Sequence, residues 1–148
     1  MHEDEARSCP GDDRPGSAQT VVAHILNAPE RRSPDYYPLS LANAVYGGGF
    51  GTRLNLNLRE DKGYSYGVFA FPQHLTYGGT WIASGGVQTD KTKESIVELE
   101  KEFRDILGPR TATPEELEKS KQQRTLSLPG RFETKGSLRS AIRDNVIF

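Results

Sequence analysis

Two runs rich in aromatic and β-branched residues, Tyr64–Phe71 and Trp81–Val87, stand either side of the turn-forming stretch Leu75-Thr76-Tyr77-Gly78-Gly79. That pattern predicts an antiparallel hairpin joined by a loop of some length. A third run, Gln19–Ala28, is β-branched and apolar at its centre and closes at Pro29, as a strand with at least one buried face does. Much of the remaining patterning is helical. Ser33-Pro34-Asp35 offers a hydroxyl N-cap, a proline for the first helical position and an acid for the first turn. Tyr37, Leu41, Ala44 and Val45 then fall on one face, and Gly47 to Gly49 end the helix. Asp90 is expected to cap a helix with Ile96, Leu99, Phe103 and Ile106 on one face, closed by Gly108-Pro109. Thr113-Pro114-Glu115-Glu116 spells a capping box opening a helix through about Ser127, and a last helical stretch runs from about Glu133 past Leu138, Ala141 and Ile142. Phe50 to Arg59 stays open. Leu54, Leu56 and Leu58 alternate as in a strand, while Phe50, Leu54 and Leu58 also recur every fourth residue. The fold class expected is α+β, an antiparallel sheet packed with helices.

The chain has 148 residues, the size of a single domain. Its first eighteen residues, Met1 to Ala18, hold five acids, two bases, two prolines, two glycines and almost nothing to bury. They are expected to form a disordered acidic tail, leaving 19–148 as the folded part. No apolar h-region marks the tail as a secretory signal, and the compartment stays open. The 19 basic residues nearly balance the 20 acidic ones, with no basic stripe, which argues against a nucleic-acid partner. No apolar run approaches the ~18–20 residues of a membrane span. At the other end, Val146-Ile147-Phe148 is apolar and without a cap, so the fold is expected to be incomplete at the C-terminus.

The chemistry-bearing residues are few. Cys9 is the single cysteine, and His2, His24 and His74 are scattered with no carboxylate or second histidine at helical spacing. A zinc hydrolase needs two or three ligands on one face plus an acid, and neither H-E-x-x-H nor its inverted form occurs, so no metal ligand is assigned. Gly47-Gly48-Gly49-Phe50-Gly51-Thr52 follows a helix, lacks the Gly-Lys-Ser/Thr ending and breaks G-x-G-x-x-G spacing. It reads as a helix end and sharp turn rather than a phosphate cradle. What remains is Leu58-Arg59-Glu60-Asp61-Lys62-Gly63-Tyr64-Ser65-Tyr66-Gly67. It is either a solvated turn beside an aromatic strand, or a place where Arg59 and Tyr66 reach one site. A guanidinium and a phenol are both donors suited to a carbonyl or an oxyanion.

Gly47-Gly48-Gly49-Phe50, followed by Arg53-Leu54-Asn55-Leu56-Asn57-Leu58-Arg59-Glu60-Asp61-Lys62-Gly63-Tyr64-Ser65-Tyr66-Gly67, resembles the C-terminal, non-zinc half of the insulinase-like (pitrilysin, mitochondrial processing peptidase) zinc metallopeptidases. The likeness continues in order at Asp13-Arg14-Pro15-Gly16, Ser33-Pro34-Asp35-Tyr36-Tyr37, Val87-Gln88-Thr89-Asp90-Lys91-Thr92 and Leu128-Pro129-Gly130-Arg131-Phe132-Glu133-Thr134. The resemblance implies an α+β half-domain and favours a helix for Phe50 to Arg59. It also implies a chamber completed by a zinc-binding partner domain or subunit bearing H-x-x-E-H, with zinc held there and not by this chain. In that arrangement Arg59 and Tyr66 contact a peptide substrate and stabilise its tetrahedral intermediate, and Gly47, Gly48 and Gly49 stand where some relatives have a substrate-recognition loop. The alternatives are a non-peptidase assembly module of the same fold, or a gene fragment without function.

Overall fold

The computed structural model describes residues 14–75 and 77–147. The elements run β1 (Gln19–Ala28), α1 (Tyr36–Tyr46), α2 (Arg53–Asn55) continuing as a π-helical segment (Leu56–Asp61), β2 (Ser65–Leu75) and β3 (Gly78–Gln88). A 3₁₀ turn (Thr89–Lys91) then leads into α3 (Thr92–Leu107), α4 (Pro114–Leu126), a second 3₁₀ turn (Pro129–Phe132) and α5 (Lys135–Ile147). This is the α+β architecture expected from the patterning. The three strands are antiparallel in the order β1-β3-β2, so β3 lies in the centre. β1 occupies the residues expected of it. The hairpin is tighter than expected, because β2 runs on to Leu75 and β3 resumes at Gly78. Gly78 turns the chain with φ of 101°, a conformation that a side chain disfavours.

Period-two alternation divides the sheet into two faces. Val22, Val68, Ala70, Trp81, Ala83 and Val87 point inward and are buried, while Val21, Ile25 and Phe71 stay exposed on the other face. Helices cover the inner face. Leu54 and Leu58 are fully buried against it, Leu99 joins them from α3, and Tyr46, Trp81 and Phe103 form an aromatic cluster with ring centroids 5.4–6.1 Å apart. Edge and tilted ring contacts of this kind add to the burial of area.

α1 differs from expectation at two points. Ser33 caps a turn instead of the helix: its hydroxyl accepts from Asp35 N–H at 3.2 Å, and the helix begins at Tyr36. Pro38 explains the shift, since a proline without an N–H fits the first helical turn but would interrupt a helix begun at Pro34. The buried face is also rotated. Tyr37 is exposed, whereas Ser40, Asn43, Val45 and Tyr46 face inward. The reason is polar. Asn43 accepts from Trp81 Nε1 at 2.8 Å and donates to the Ala70 carbonyl at 2.9 Å, and the Tyr46 hydroxyl donates to Leu99 O at 3.1 Å. Burial, then the nearby Glu102 carboxylate, pushes the Tyr46 phenol well above its ordinary range.

On α3, Asp90 falls within the preceding 3₁₀ turn instead of capping the helix, and Ile96 is half exposed. The helix turns Ser95, Leu99 and Glu102 inward, because Glu102 accepts from Asn57 Nδ2 at 2.8 Å and pairs with Arg110 at 3.3 Å. α4 opens with the expected capping box: Thr113 Oγ1 accepts from Glu116 N–H, and Glu116 accepts from Thr113 N–H. Within the expected tail, residues 1–13 lie outside those described, and Ser17 and Ala18 accept hydrogen bonds from Thr89. The Phe148 terminus also lies outside them.

Two measurements test this core. Asn43→Ala leaves the Trp81 indole N–H and the Ala70 carbonyl without partners, so urea unfolding should show a loss of about 2–4 kcal/mol. A loss below about 1 kcal/mol would contradict the assigned bridge. His24 packs edge-on between Trp81 and Phe103 at 5.9 and 5.0 Å, and burial, opposed by the Glu100 charge, lowers its pKa. Below about 6.5 the unfolded chain therefore binds a proton that the folded state resists, and stability falls as pH falls. His24→Leu should flatten stability between pH 7 and 5 when unfolding is followed across that range; an unchanged slope would rule His24 out.

Candidate functional site

The segment that sequence patterning left open resolves as a helix with a defect. Three α-helical residues give way to six with π-helical bonding, a widening often found at functional positions. Leu54 and Leu58 anchor it in the core, Leu56 is exposed, and Arg59 emerges from its last turn. Gly63, with φ of 67°, reverses the chain, and Tyr64 N–H donates to Leu58 O at 2.8 Å. β2 begins immediately after.

Tyr66 sits on a β-bulge. Ser65 pairs with Val87 and Gly67 pairs with Gly86, leaving Tyr66 as the extra residue. The Ser65 hydroxyl closes the bulge, donating to Gly86 O at 2.6 Å and accepting from Gly67 N–H at 3.0 Å. Released from the ladder's alternation, Tyr66 is 84% exposed. It shares a surface cavity of about 360 Å³ with Arg59, Glu60, Ser65, Gln19 and Gln88. Thus Arg59 and Tyr66, seven positions apart, reach the same place. The Arg59 side chain is 40% exposed, lies 3.5 Å from Glu60 through Nε, and places its guanidinium carbon over the Phe50 ring, 4.9 Å from the centroid.

The glycine turn is built differently. A Cβ on Gly47 would lie 2.7 Å from Ala70 Cβ and 2.8 Å from Leu54 Cδ1, and one on Gly48 would lie 2.9 Å from Ala44 Cα. Both positions need glycine for close packing. Gly49 is open, and its carbonyl accepts from Thr52 Oγ1 at 2.6 Å and Asn55 Nδ2 at 3.1 Å. Gly48 and Gly49 line a second cleft with Ser40, Gln123 and Arg124, apart from the cavity of Arg59 and Tyr66.

Sequence reasoning passed over two polar residues that hold this region. Asn55 is fully buried; its Nδ2 also donates to Val68 O at 2.9 Å, and its Oδ1 accepts from Val68 N–H at 2.9 Å. Arg53 forms a bidentate pair with Glu116 at 2.9 and 2.6 Å, also donating to the carbonyls of Arg110 and Thr111. The hydrogen bond from Arg53 lowers the Glu116 pKa most, and the bond to Glu116 raises that of Arg53. Neither Arg53 nor Asn55 lies on the apolar period set by Leu54 and Leu58, so the local pattern carries no signal of their burial.

The described residues do not fit a zinc ion. His24 packs against the Trp81 and Phe103 rings, His74 bonds Pro29 O at 2.8 Å beside the Tyr36 ring, and no three His, Cys, Asp or Glu side chains gather among the described residues. No described helix is long and apolar enough to cross a membrane.

The family described as the peptidase M16 inactive domain matches residues 8–124. The uncharacterized zinc protease YmxG of Bacillus subtilis (strain 168) is 33% identical over 92 residues, covering 62% of this chain and 22% of the relative. The chain thus spans about a fifth of that protein's length. The peptidase M16 inactive domain from Pseudomonas fluorescens matches with a TM-score of 0.70 at 28% identity, over 74% of this chain and 26% of that one. A protease from Helicobacter pylori shares the fold with a TM-score of 0.72 at 19% identity, over 90% and 32% of the two chains.

The bulge makes a direct prediction. Ser65→Ala removes both bonds that close it, so the Gly67 amide should exchange with deuterium about three- to ten-fold faster, measured by NMR, while Ser65→Thr keeps the slow rate. Equal rates in all three proteins would show that the hydroxyl does not hold the bulge.

Proposed function

This chain belongs to the peptidase M16 inactive domain family, and from that premise we propose that it supplies the non-metal side of a peptide-cleaving site. In this reading Arg59 and Tyr66 bind and orient the carbonyl of the peptide bond to be cut. Zinc belongs to a partner domain or subunit bearing H-x-x-E-H, facing this chain across a chamber. The observation that carries the proposal is the convergence of a permanently charged donor and a neutral hydroxyl on one cavity. When a peptide carbonyl becomes tetrahedral its oxygen gains negative charge, and donors already aimed at that oxygen stabilise the transition state more than the ground state. Arg59 offers several N–H groups in a planar fork, and Tyr66 offers one O–H on a bulge that lifts it clear of the sheet. Gln19 and Gln88, which line the same cavity, carry amides able to bond a peptide main chain.

Gly47, Gly48 and Gly49 enter the same reading as a recognition loop, with different roles. Gly47 and Gly48 permit close packing, and Gly49 is the position whose open face lets a peptide backbone approach. The zinc protease named among the relatives agrees with a metal-dependent enzyme as the setting.

The test is reconstitution. The chain would be combined with a zinc-binding, H-x-x-E-H half-domain of the same family and assayed on quenched fluorescent peptides derived from casein. Arg59→Ala and Tyr66→Phe should each lower kcat by roughly 10²–10³, the loss typical of one oxyanion donor. Hydrolysis indifferent to both substitutions would overturn the assignment.

A further inference from the structure

Arg59 needs an explanation of its own, because a long side chain that is 40% exposed has no intrinsic reason to keep one direction. Its carboxylate contact, Glu60, lies 3.5 Å away and is itself 59% exposed, the kind of surface pair that contributes little. The other contact is aromatic. The Arg59 guanidinium carbon lies 4.9 Å from the centre of the Phe50 ring, within cation–π range. Phe50 is in turn met edge-on by Phe69 of β2, with centroids 4.9 Å apart and planes at 87°. Its backbone follows Gly49, whose carbonyl is tied by Thr52 and by the buried Asn55. Phe50 does not line the cavity of Arg59 and Tyr66.

We infer that Phe50 is the positioning residue for Arg59. Its ring is a platform behind the guanidinium that leaves the Nη edge, the one turned away from Glu60, free to donate into the cavity, and one contribution of the glycine turn to this site is to present that ring. The inference deepens the functional reading above and rests on it for its consequence in catalysis, while the stacking itself stands apart from any activity. A guanidinium flat on a ring donates in its own plane, perpendicular to the stacking direction, so the platform and a bound carbonyl do not compete. Lysine, a compact charge without that plane, would not use the platform in the same way.

Two experiments separate the inference from the reading beneath it. In the full 148-residue chain, NMR of the Arg59 Nε–H group reports the ring current of Phe50 directly. Phe50→Leu should move that resonance downfield and Phe50→Tyr should leave it nearly in place. Phe50 is more than half exposed, so neither variant empties the core, and unchanged neighbouring resonances would verify the fold. An Arg59 signal indifferent to Phe50→Leu overturns the inference. In the reconstituted peptidase, Phe50→Leu should lower kcat/KM about two- to five-fold, Phe50→Tyr should restore it, and Phe50→Leu should add nothing in an Arg59→Ala background. An equal loss in both backgrounds also overturns the inference. If Arg59→Ala itself leaves hydrolysis unchanged, the functional reading fails, and the resonance shift still decides whether Phe50 holds Arg59.

Discussion

The side chain of Asn55 is the contact on which the region around the candidate site depends. It is wholly buried, and both ends of its amide are used: Nδ2 donates to Gly49 O and Val68 O, and Oδ1 accepts from Val68 N–H. An edge strand exposes a row of main-chain groups that invite another strand. Here Asn55 imitates that missing neighbour at Val68. Two residues further along β2, Ala70 N–H goes to Gly47 O at 2.8 Å and Ala70 O takes the amide of Asn43. Pro72 then has no N–H to offer. Two buried asparagines and a glycine carbonyl therefore close this stretch of the β2 edge, and the glycine turn and the π-helical segment are pinned to the sheet by the same bonds. Leaving such amides unpaired would cost more than each bond contributes net, so the arrangement is close to all-or-none.

A second layer of polar contacts fixes how the helices stand on that frame. Arg53 grips Glu116, and Glu116 also completes the α4 capping box, so one carboxylate joins the start of α2 to the start of α4. Asn57, two residues before Arg59, reaches across to Glu98 and Glu102 on α3. These contacts explain why α3 turns Glu102 inward while Ile96 stays half exposed. Burying a carboxylate is expensive unless it is bonded, and Asn57 and Arg110 offset that expense here.

The parts of the fold legible in the sequence are those governed by neighbours in the chain. The capping box of α4 needs only Thr113 and Glu116, and β1 needs only its own apolar run bounded by Pro29. The leucines of Leu54 to Leu58 carried a correct clue, since Leu54 and Leu58 are buried and Leu56 is not, but periodicity alone could not separate helix from strand over so few residues. What escaped is long-range. The buried face of α1 departs from its apolar pattern because Asn43 is buried for its bonds to Trp81 and Ala70, and nothing local announces those partners. The bulge at Tyr66 was hidden for the same reason: Ser65 closes it onto Gly86, a residue of the opposite strand. Arg59 and Tyr66 could be singled out by residue type and by family likeness; their meeting in one cavity depends on the π-helical turn, Gly63 and the bulge acting together.

The exposure of the two donors bears on what this chain can do by itself. Arg59 and Tyr66 are both open to solvent, and a unit charge about 4 Å from an oxyanion is worth only ~1 kcal/mol in bulk water, against ~4 kcal/mol at the effective dielectric of a protein surface. Donors placed this way become strong only when something opposite excludes water. The supports built behind them, Phe50 under the guanidinium and Ser65 under the bulge, fix direction in advance without drying the site. Rigid placement on this chain and water exclusion from a facing surface are separable contributions, and the proposed division of the site between two halves assigns one to each.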